Sequence, residues 1–425
     1  MTPGASPSAS PTFNKDVAPL LFKHCTGCHR PGEVAPFSLL SYAEVAKRSE
    51  QIVRVTHNRF MPPWKPKAGY GEFLDPRGLS EAEMAMLSDW AKAGAPEGDP
   101  ADAPEAPRYT EGWQLGTPDL VLKMPEPYTL PAEGGDVYQC FVLPAKLAET
   151  RGISAIEIRP GNRKIVHHAI LYADDKGLAR QKDDKEPGQG YRCFGGPGFL
   201  PSGNLGGWAP GMTPRFLQEG TARRLPKGSD VIMQLHYHPS GKVETDVTQI
   251  GLYFSKKPPE RFLAAVPLLN LDLEIPAGMD HHKTGAAFKL PMDLDVVGVV
   301  PHMHLLGQEM KVFATLPDGT VKPIIWIDDW DFNWQGEYGL KAPIHLPKGT
   351  QLQFEAVYDN SDKNPNNPHS PPKKVSWGEN TTDEMAVAFV QFTTAHPVED
   401  REVLRKELFF QFQLWRHLDK IGNQK

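Results

Sequence analysis

VIMQLHYHP, residues 231–239, is an apolar run of strand length that closes on a proline. Runs of the same kind follow one another beyond about residue 110: IEIRP at 156–160, QIGLYF at 249–254, VVGVVPHMHL at 296–305 and TQLQFEAVYD at 350–359. Glycine and proline, 38 and 42 residues respectively, punctuate the chain between them. Short apolar runs separated by turn residues are the rhythm of all-β sandwiches. At 425 residues the chain has room for two to four domains of ordinary size.

Composition excludes several partners. With 23% charged residues and a net charge of -6, nothing draws the chain to nucleic acid or to an anionic membrane. No stretch approaches the ~18 uninterrupted apolar residues of a membrane span.

The first hundred residues have a different texture. Helical patterns run from about Asn14 to His24, from Ser41 with Glu44 three positions on, and from Ser80 with Glu83 three positions on. The last two carry the capping-box spacing, and the third pattern stops at Gly94, a residue favoured just past a helix end. Met84, Leu87 and Ala91 give that helix its apolar stripe, and Met84 and Met86 are expected in the core.

The first pattern delivers the chain to Cys25-Thr26-Gly27-Cys28-His29. Two thiols three positions apart can take the two vinyl groups of one haem, with the adjacent imidazole on the iron. The alternatives are a redox CxxC or half of a zinc site. Zinc needs a second Cys/His pair at comparable spacing, and the next cysteine is Cys140. For the sixth iron position the best placed side chain is Met61 in FMPPW, 60–64, with His57 and His24 as imidazole alternatives. A thioether stabilises ferrous iron and raises the reduction potential.

Covalent haem attachment of this kind is extracytoplasmic, so a periplasmic or secreted location is expected. The start, MTPGASPSASPT, lacks the apolar core of a signal peptide; the signal is expected to have been removed, leaving a disordered arm at 1–12. Cys140 and Cys193 remain as an even pair in an oxidising compartment. A disulfide between them would close a loop of some fifty residues and contribute about 4 kcal/mol on a chain-entropy estimate. Two buried free thiols are the alternative.

The segment from CTGCH through MPPW to LSEAEMAMLSDWAKAG, 79–94, resembles class I cytochromes c. That resemblance implies electron transfer by a six-coordinate haem. A proline-rich stretch, GDPADAPEAPR at 98–108, follows as a semi-rigid tether.

Among the fifteen histidines, four groupings stand out besides His29: His167-His168, His236-x-His238, His281-His282 and His302-x-His304. Residues two apart on a strand share a face, so His302 and His304 can meet one ion. Adjacent residues point oppositely, so His167 and His168 can do so only at a bulge or strand end. Any one pair alone is more often structural than ligating. His238, two beyond His236, is a rival to it. His281-His282 reads as a solvent loop, and His345, His369, His396 and His417 as structural.

In order, KIVHHAILY (164–172), MQLHYHPSG (233–241), PHMHLLG (301–307) and WGENTTDEM (377–385) resemble the copper type II, ascorbate-dependent monooxygenases, the family of peptidylglycine α-hydroxylating and dopamine β-monooxygenases. The resemblance spans about 115–395 and includes WAPG, LPKG and YDNS at 208–211, 225–228 and 358–361. It implies two jelly-roll-like β-sandwiches, each holding one copper ion beside a solvent-filled cleft. By motif, His167, His168 and His236 would hold the first copper, and His302, His304 and Met385 the second. His302, His304 and Met385 would then form the catalytic, oxygen-binding centre.

Peptide-amidating members carry an arginine two residues before the HxH, and asparagine and tyrosine two and four residues after the methionine. Here those positions are Val300, Val387 and Phe389. The resemblance with this departure implies a small apolar or aromatic substrate rather than a peptide carboxylate.

The expected organisation is multidomain: an all-α cytochrome c domain at 13–97, a linker at 98–112, β-sandwiches at 113–262 and 263–400, and a helical tail at 401–425. The expected activity is hydroxylation of a C–H bond with O2, using two copper ions and one covalent c-type haem. Electrons would come from an external donor, a redox protein or ascorbate, through the haem to the tri-histidine copper. The alternative is a non-catalytic haem/copper electron-transfer or redox-sensing protein.

Overall fold

The computed structural model describes residues 10–422 except Val34, Glu111, Gly211 and Glu379, with side chains of the C-terminal helix described through Gln411. Most of the arm expected at 1–12 therefore lies outside the described residues. Packing divides the chain into two units. One comprises residues up to Lys65 together with Asp75–Gly112, the other Pro66–Leu74 together with residues from Trp113 onward.

Helices and turns make up the first unit. A π-helical turn, Phe13–Val17, runs into the helix Ala18–His24. The pattern starting at Ser41 forms two short helices, Tyr42–Ala46 and Ser49–His57, instead of one. Ser41 Oγ accepts the Glu44 N–H at 3.4 Å, but the Glu44 carboxylate turns to Lys47 and Arg48, at 2.6 and 2.9 Å, so the box there is half made. At Ser80 both halves form, opening the helix Glu81–Lys92. Gly94, at φ +85°, lets the chain leave that helix in a left-handed turn. Phe13, Val17, Leu21, Val45, Ile52, Met84, Leu87 and Trp90 form the core, with Met86 packed against it.

The second unit is mostly β-sheet. Eight strands form one sheet, in the order Leu120–Lys123, Gln249–Phe254, Arg151–Arg159, Thr221–Leu225, Arg261–Leu269, Val387–Thr394, Leu294–His302 and Tyr338–Leu346. A five-stranded sheet holds Tyr191–Arg192, Val137–Pro144, Asp230–Tyr237, Val166–Asp174 and Gly203–Trp208. A four-stranded sheet holds His282–Lys289, Gln351–Tyr358, Gly307–Thr315 and Val321–Ile327. The two expected β-regions thus share one sheet. They join where Thr221 and Ala222 pair in parallel with Arg261 and Phe262.

The strand Asp230–Tyr237 is buried along its whole length. Val231, Met233, Leu235 and Tyr237 enter the main core with Phe141, Leu171, Ile153 and Ile250. Ile232 faces the other way and packs with Cys140, Tyr191 and Cys193. Cys140 and Cys193 are joined as a disulfide across 53 positions, as expected from the cysteine count.

Pro66–Leu74 lies against two sheet edges. The Lys67 N–H donates to the Trp326 carbonyl at 2.7 Å and the Leu74 N–H to the Gly339 carbonyl at 2.8 Å. Both partners sit on edge strands, whose backbone groups would otherwise face solvent. The tail forms the helix Glu399–Gly422; Leu404 is buried, and Gln411 bonds both backbone groups of Lys289.

Candidate metal centres

His167 and His168 reach one place because the strand that carries them is bulged. Val166 pairs with Tyr237 and His168 with His236, which leaves His167 as the extra residue. Among the described residues, His167, His168 and His236 offer ring nitrogens that all lie within 4.8 Å of one another. Nδ1 of His168 is 3.3 Å from Nδ1 of His167 and 3.4 Å from Nδ1 of His236. Two nitrogens about 2 Å from a shared ion at a tetrahedral angle would be about this far apart.

Charge state agrees with geometry. Burial pushes His167 down to about 4 and His168 well below the ordinary imidazole range, the other histidines adding to the effect. Both rings are neutral near pH 7, with a lone pair available to a cation. The back of His236 is held by Asp136, whose Oδ2 lies 3.0 Å from Nε2, and Tyr138 stacks on its ring at 4.2 Å. His238 is exposed, with Nδ1 2.7 Å from the other Asp136 oxygen. The structure brings His236 into the group and leaves His238 outside it.

His302 ends its strand and His304 follows two residues on, their ring centroids 5.1 Å apart. Here the Nδ1 atoms are engaged away from each other. His302 Nδ1–H donates to Gln335 Oε1 at 2.5 Å, and His304 Nδ1–H to the Asp383 carbonyl at 3.1 Å. Nε2 is therefore the lone-pair nitrogen of both rings. Burial pushes His302 down to about 3 and lowers His304 as well.

Met385 lies two residues before Val387, which pairs with His302; continuing that register would set Met385 opposite His304. Glu384, fully buried, fixes this neighbourhood. Its Oε2 accepts the N–H of His304 at 2.9 Å and of Met385 at 3.1 Å, and its Oε1 that of Leu306 at 2.6 Å. Val300 pairs with Phe389 on the adjacent strand, and Phe389 is 39% exposed, so two apolar side chains lie on the sheet beside His302.

The two histidine groups are neighbours. Phe332 stacks on His167 with centroids 5.9 Å apart and meets His304 edge-on, also at 5.9 Å. Thr381 Oγ1 donates to Asp136 at 3.0 Å, tying the WGENTTDEM segment to the group around His236.

In the helical unit, His29 Nδ1–H donates to the Phe37 carbonyl at 3.2 Å, which leaves Nε2 as the lone-pair nitrogen. The disulfide of the second unit leaves Cys25 and Cys28 as thiols. Met61 follows the helix Ser49–His57, its N–H on the Val55 carbonyl at 3.0 Å. His57 is exposed, and His24 has Nδ1 3.2 Å from the Arg77 carbonyl and Nε2 3.5 Å from Glu83. Of the remaining histidines, His282 opens a strand and packs near Tyr358, rather than lying in a solvent loop, and His345 pairs with Asp295.

Asp136, Phe332, Gln335 and Glu384 were not singled out by sequence reasoning. Glu384 had a signal, its place directly before Met385. The others come from loops whose partners lie far along the chain.

Residues 279–404 match the family described as copper type II ascorbate-dependent monooxygenase, C-terminal domain. The match covers His302, His304 and Met385 and supports a copper-dependent monooxygenase at the level of the family. No curated protein matches the chain. Similar solved structures include the major capsid protein P2 of bacteriophage PM2, 8% identical, covering 64% of this chain and 96% of that one at a TM-score of 0.26. Another is the VP2 subviral particle of infectious bursal disease virus, 8% identical, covering 66% and 73% at 0.20. Likenesses this slight bear on neither fold nor function.

Proposed function

We propose that this chain is an extracytoplasmic copper monooxygenase with its own haem electron-delivery domain. The observation that carries the reading is the convergence of three imidazoles, His167, His168 and His236, beside His302 and His304 of the matched domain. Nδ1 of His168 faces Nδ1 of both neighbours and can share a proton with only one of them, whereas a soft cation satisfies all three nitrogens. Copper held there would store one electron by cycling between Cu(I) and Cu(II), while copper held by His302, His304 and Met385 would engage dioxygen.

The residues around that chemistry have separable tasks. Asp136 and Gln335 fix which ring nitrogen is offered, and Glu384 holds the backbones of His304 and Met385 in register. Val300, Val387 and Phe389 supply an apolar face for a small apolar or aromatic substrate. The position that carries the carboxylate-binding arginine in peptide-amidating members is Val300 here. The overall reaction inserts one oxygen atom of O2 into a C–H bond and reduces the other to water, consuming two electrons and two protons.

Cys25, Cys28 and His29 fit a covalent c-type haem: two thiols at the right spacing, and an imidazole whose Nδ1–H is already bonded. With Met61 as sixth ligand such a haem would relay electrons from an external donor, a redox protein or ascorbate. Export of the chain accords with the Cys140–Cys193 disulfide, and no helix among the described residues is long and apolar enough to cross a membrane.

Metal analysis of the purified holoprotein tests the reading, with two copper ions and one haem per chain expected. His302→Ala and Met385→Ala should abolish substrate-dependent oxygen uptake. Unchanged uptake would remove these residues from the oxygen site, and copper binding without any turnover would favour a haem/copper relay.

A further inference from the structure

Phe332 touches one imidazole of each histidine group. Its face lies against His167, 18° from parallel, and its edge meets His304 at 82°. Both contacts fall in the 4.5–7 Å range in which aromatic rings attract. The loop that carries it is pinned independently. The Trp330 N–H donates to the Gln308 carbonyl at 3.0 Å, Trp330 Nε1–H donates to the His304 carbonyl at 3.2 Å, and Gln335 holds His302.

We propose that Phe332 is a positioning residue that couples the two metal centres. This rests on the copper reading above. The half-buried ring contacts both imidazoles, so a displacement imposed by one is felt at its contact with the other. Turning His304 onto a metal therefore changes the orientation offered by His167. Coupling of this kind is reciprocal, so an ion at either centre alters the affinity of the other by the same factor.

The test is a linkage cycle on the full chain, stripped of copper and titrated with Cu(I) under anaerobic conditions, reading the affinity of the His167, His168 and His236 group. His304→Ala should change that affinity roughly 2- to 12-fold, the range of an aromatic contact. In a Phe332→Ala background the same substitution should change nothing. Phe332→Tyr should keep the coupling, and Phe332→Leu, which restores bulk without a flat face, should lose it. Packing alone would be satisfied by leucine. If Phe332→Ala does not fold, the leucine and tyrosine variants carry the test.

A rival connection runs through Thr381 and Asp136. Coupling that survives loss of the Phe332 ring, or that Thr381→Val abolishes with Phe332 intact, would overturn the proposal. So would independent binding at the two centres in the unaltered protein. No Cu(I) uptake at the tri-histidine group would instead sink the copper reading itself.

Discussion

Asp136 and His236 meet through Oδ2 and Nε2 at 3.0 Å, on the side of the ring away from the one that faces His168. A carboxylate behind an imidazole fixes its tautomer and raises its basicity, which makes the front nitrogen a stronger donor. The same contacts hold the Asp136 carboxyl below its usual range, the His236 hydrogen bond contributing most.

Asp136→Asn should therefore weaken copper at the tri-histidine group by about 10- to 100-fold, the ordinary cost of losing such a partner. Competition with a chromophoric Cu(I) chelator measures it. His238→Ala, which removes only the exposed partner of Asp136, should leave the affinity nearly unchanged. A large effect of His238→Ala would instead place His238 among the ligands.

Glu384 carries more of the second centre than its single position implies. Glu384→Ala would strand the N–H groups of His304, Leu306 and Met385 in a buried site, at about 1–3 kcal/mol each. Denaturant unfolding of the copper-free protein should show a loss of at least about 3 kcal/mol. Glu384→Gln keeps one acceptor oxygen and should lose less. Equal losses in the two variants would mean that side-chain volume, not hydrogen bonding, is what matters there.

The Cys140–Cys193 bridge should be felt at the metal as well as in stability. Replacing both cysteines by alanine removes about 4 kcal/mol on the chain-entropy estimate and lowers the melting temperature in calorimetry. Tyr138, which stacks on His236, stands two residues from Cys140 on the same strand. The double variant should thus also release copper from the tri-histidine group more readily. Unaltered copper retention would separate the bridge from the site.

The fold was legible where local chemistry decides it. VIMQLHYHP announced a strand because a continuous apolar run needs cover on both faces, and the strand Asp230–Tyr237 has it from the core on one side and the disulfide cluster on the other. Adjacency restricted His167 and His168 to a bulge or a strand end if they were to meet one ion, and the structure has the bulge. What stayed hidden depends on distant partners. Nothing near Phe332 tells that its ring will meet both His167 and His304. Glu44 has the capping-box spacing, yet its carboxylate goes to Lys47 and Arg48, a choice between competing hydrogen bonds that spacing cannot express. The parallel pairing that joins the two β-regions in one sheet rests on two residues per strand, too brief a contact to leave a pattern.

His29 has its Nδ1–H on the Phe37 carbonyl, so iron bound at Nε2 would meet a ring that is already oriented. Covalent attachment should survive denaturation and acid extraction, and Cys25→Ala with Cys28→Ala should abolish it. With Met61 on the sixth position, Met61→Ala should turn a low-spin haem high-spin, while Met61→His should stay low-spin with a lower reduction potential, because imidazole stabilises ferrous iron less than a thioether does. Absorption spectra and a potentiometric titration separate these outcomes. A Met61→Ala protein with an unaltered spectrum would move the sixth ligand elsewhere, and His57→Ala is then the next variant to measure. His24 is the weaker alternative, because both of its ring nitrogens already lie against Arg77 and Glu83.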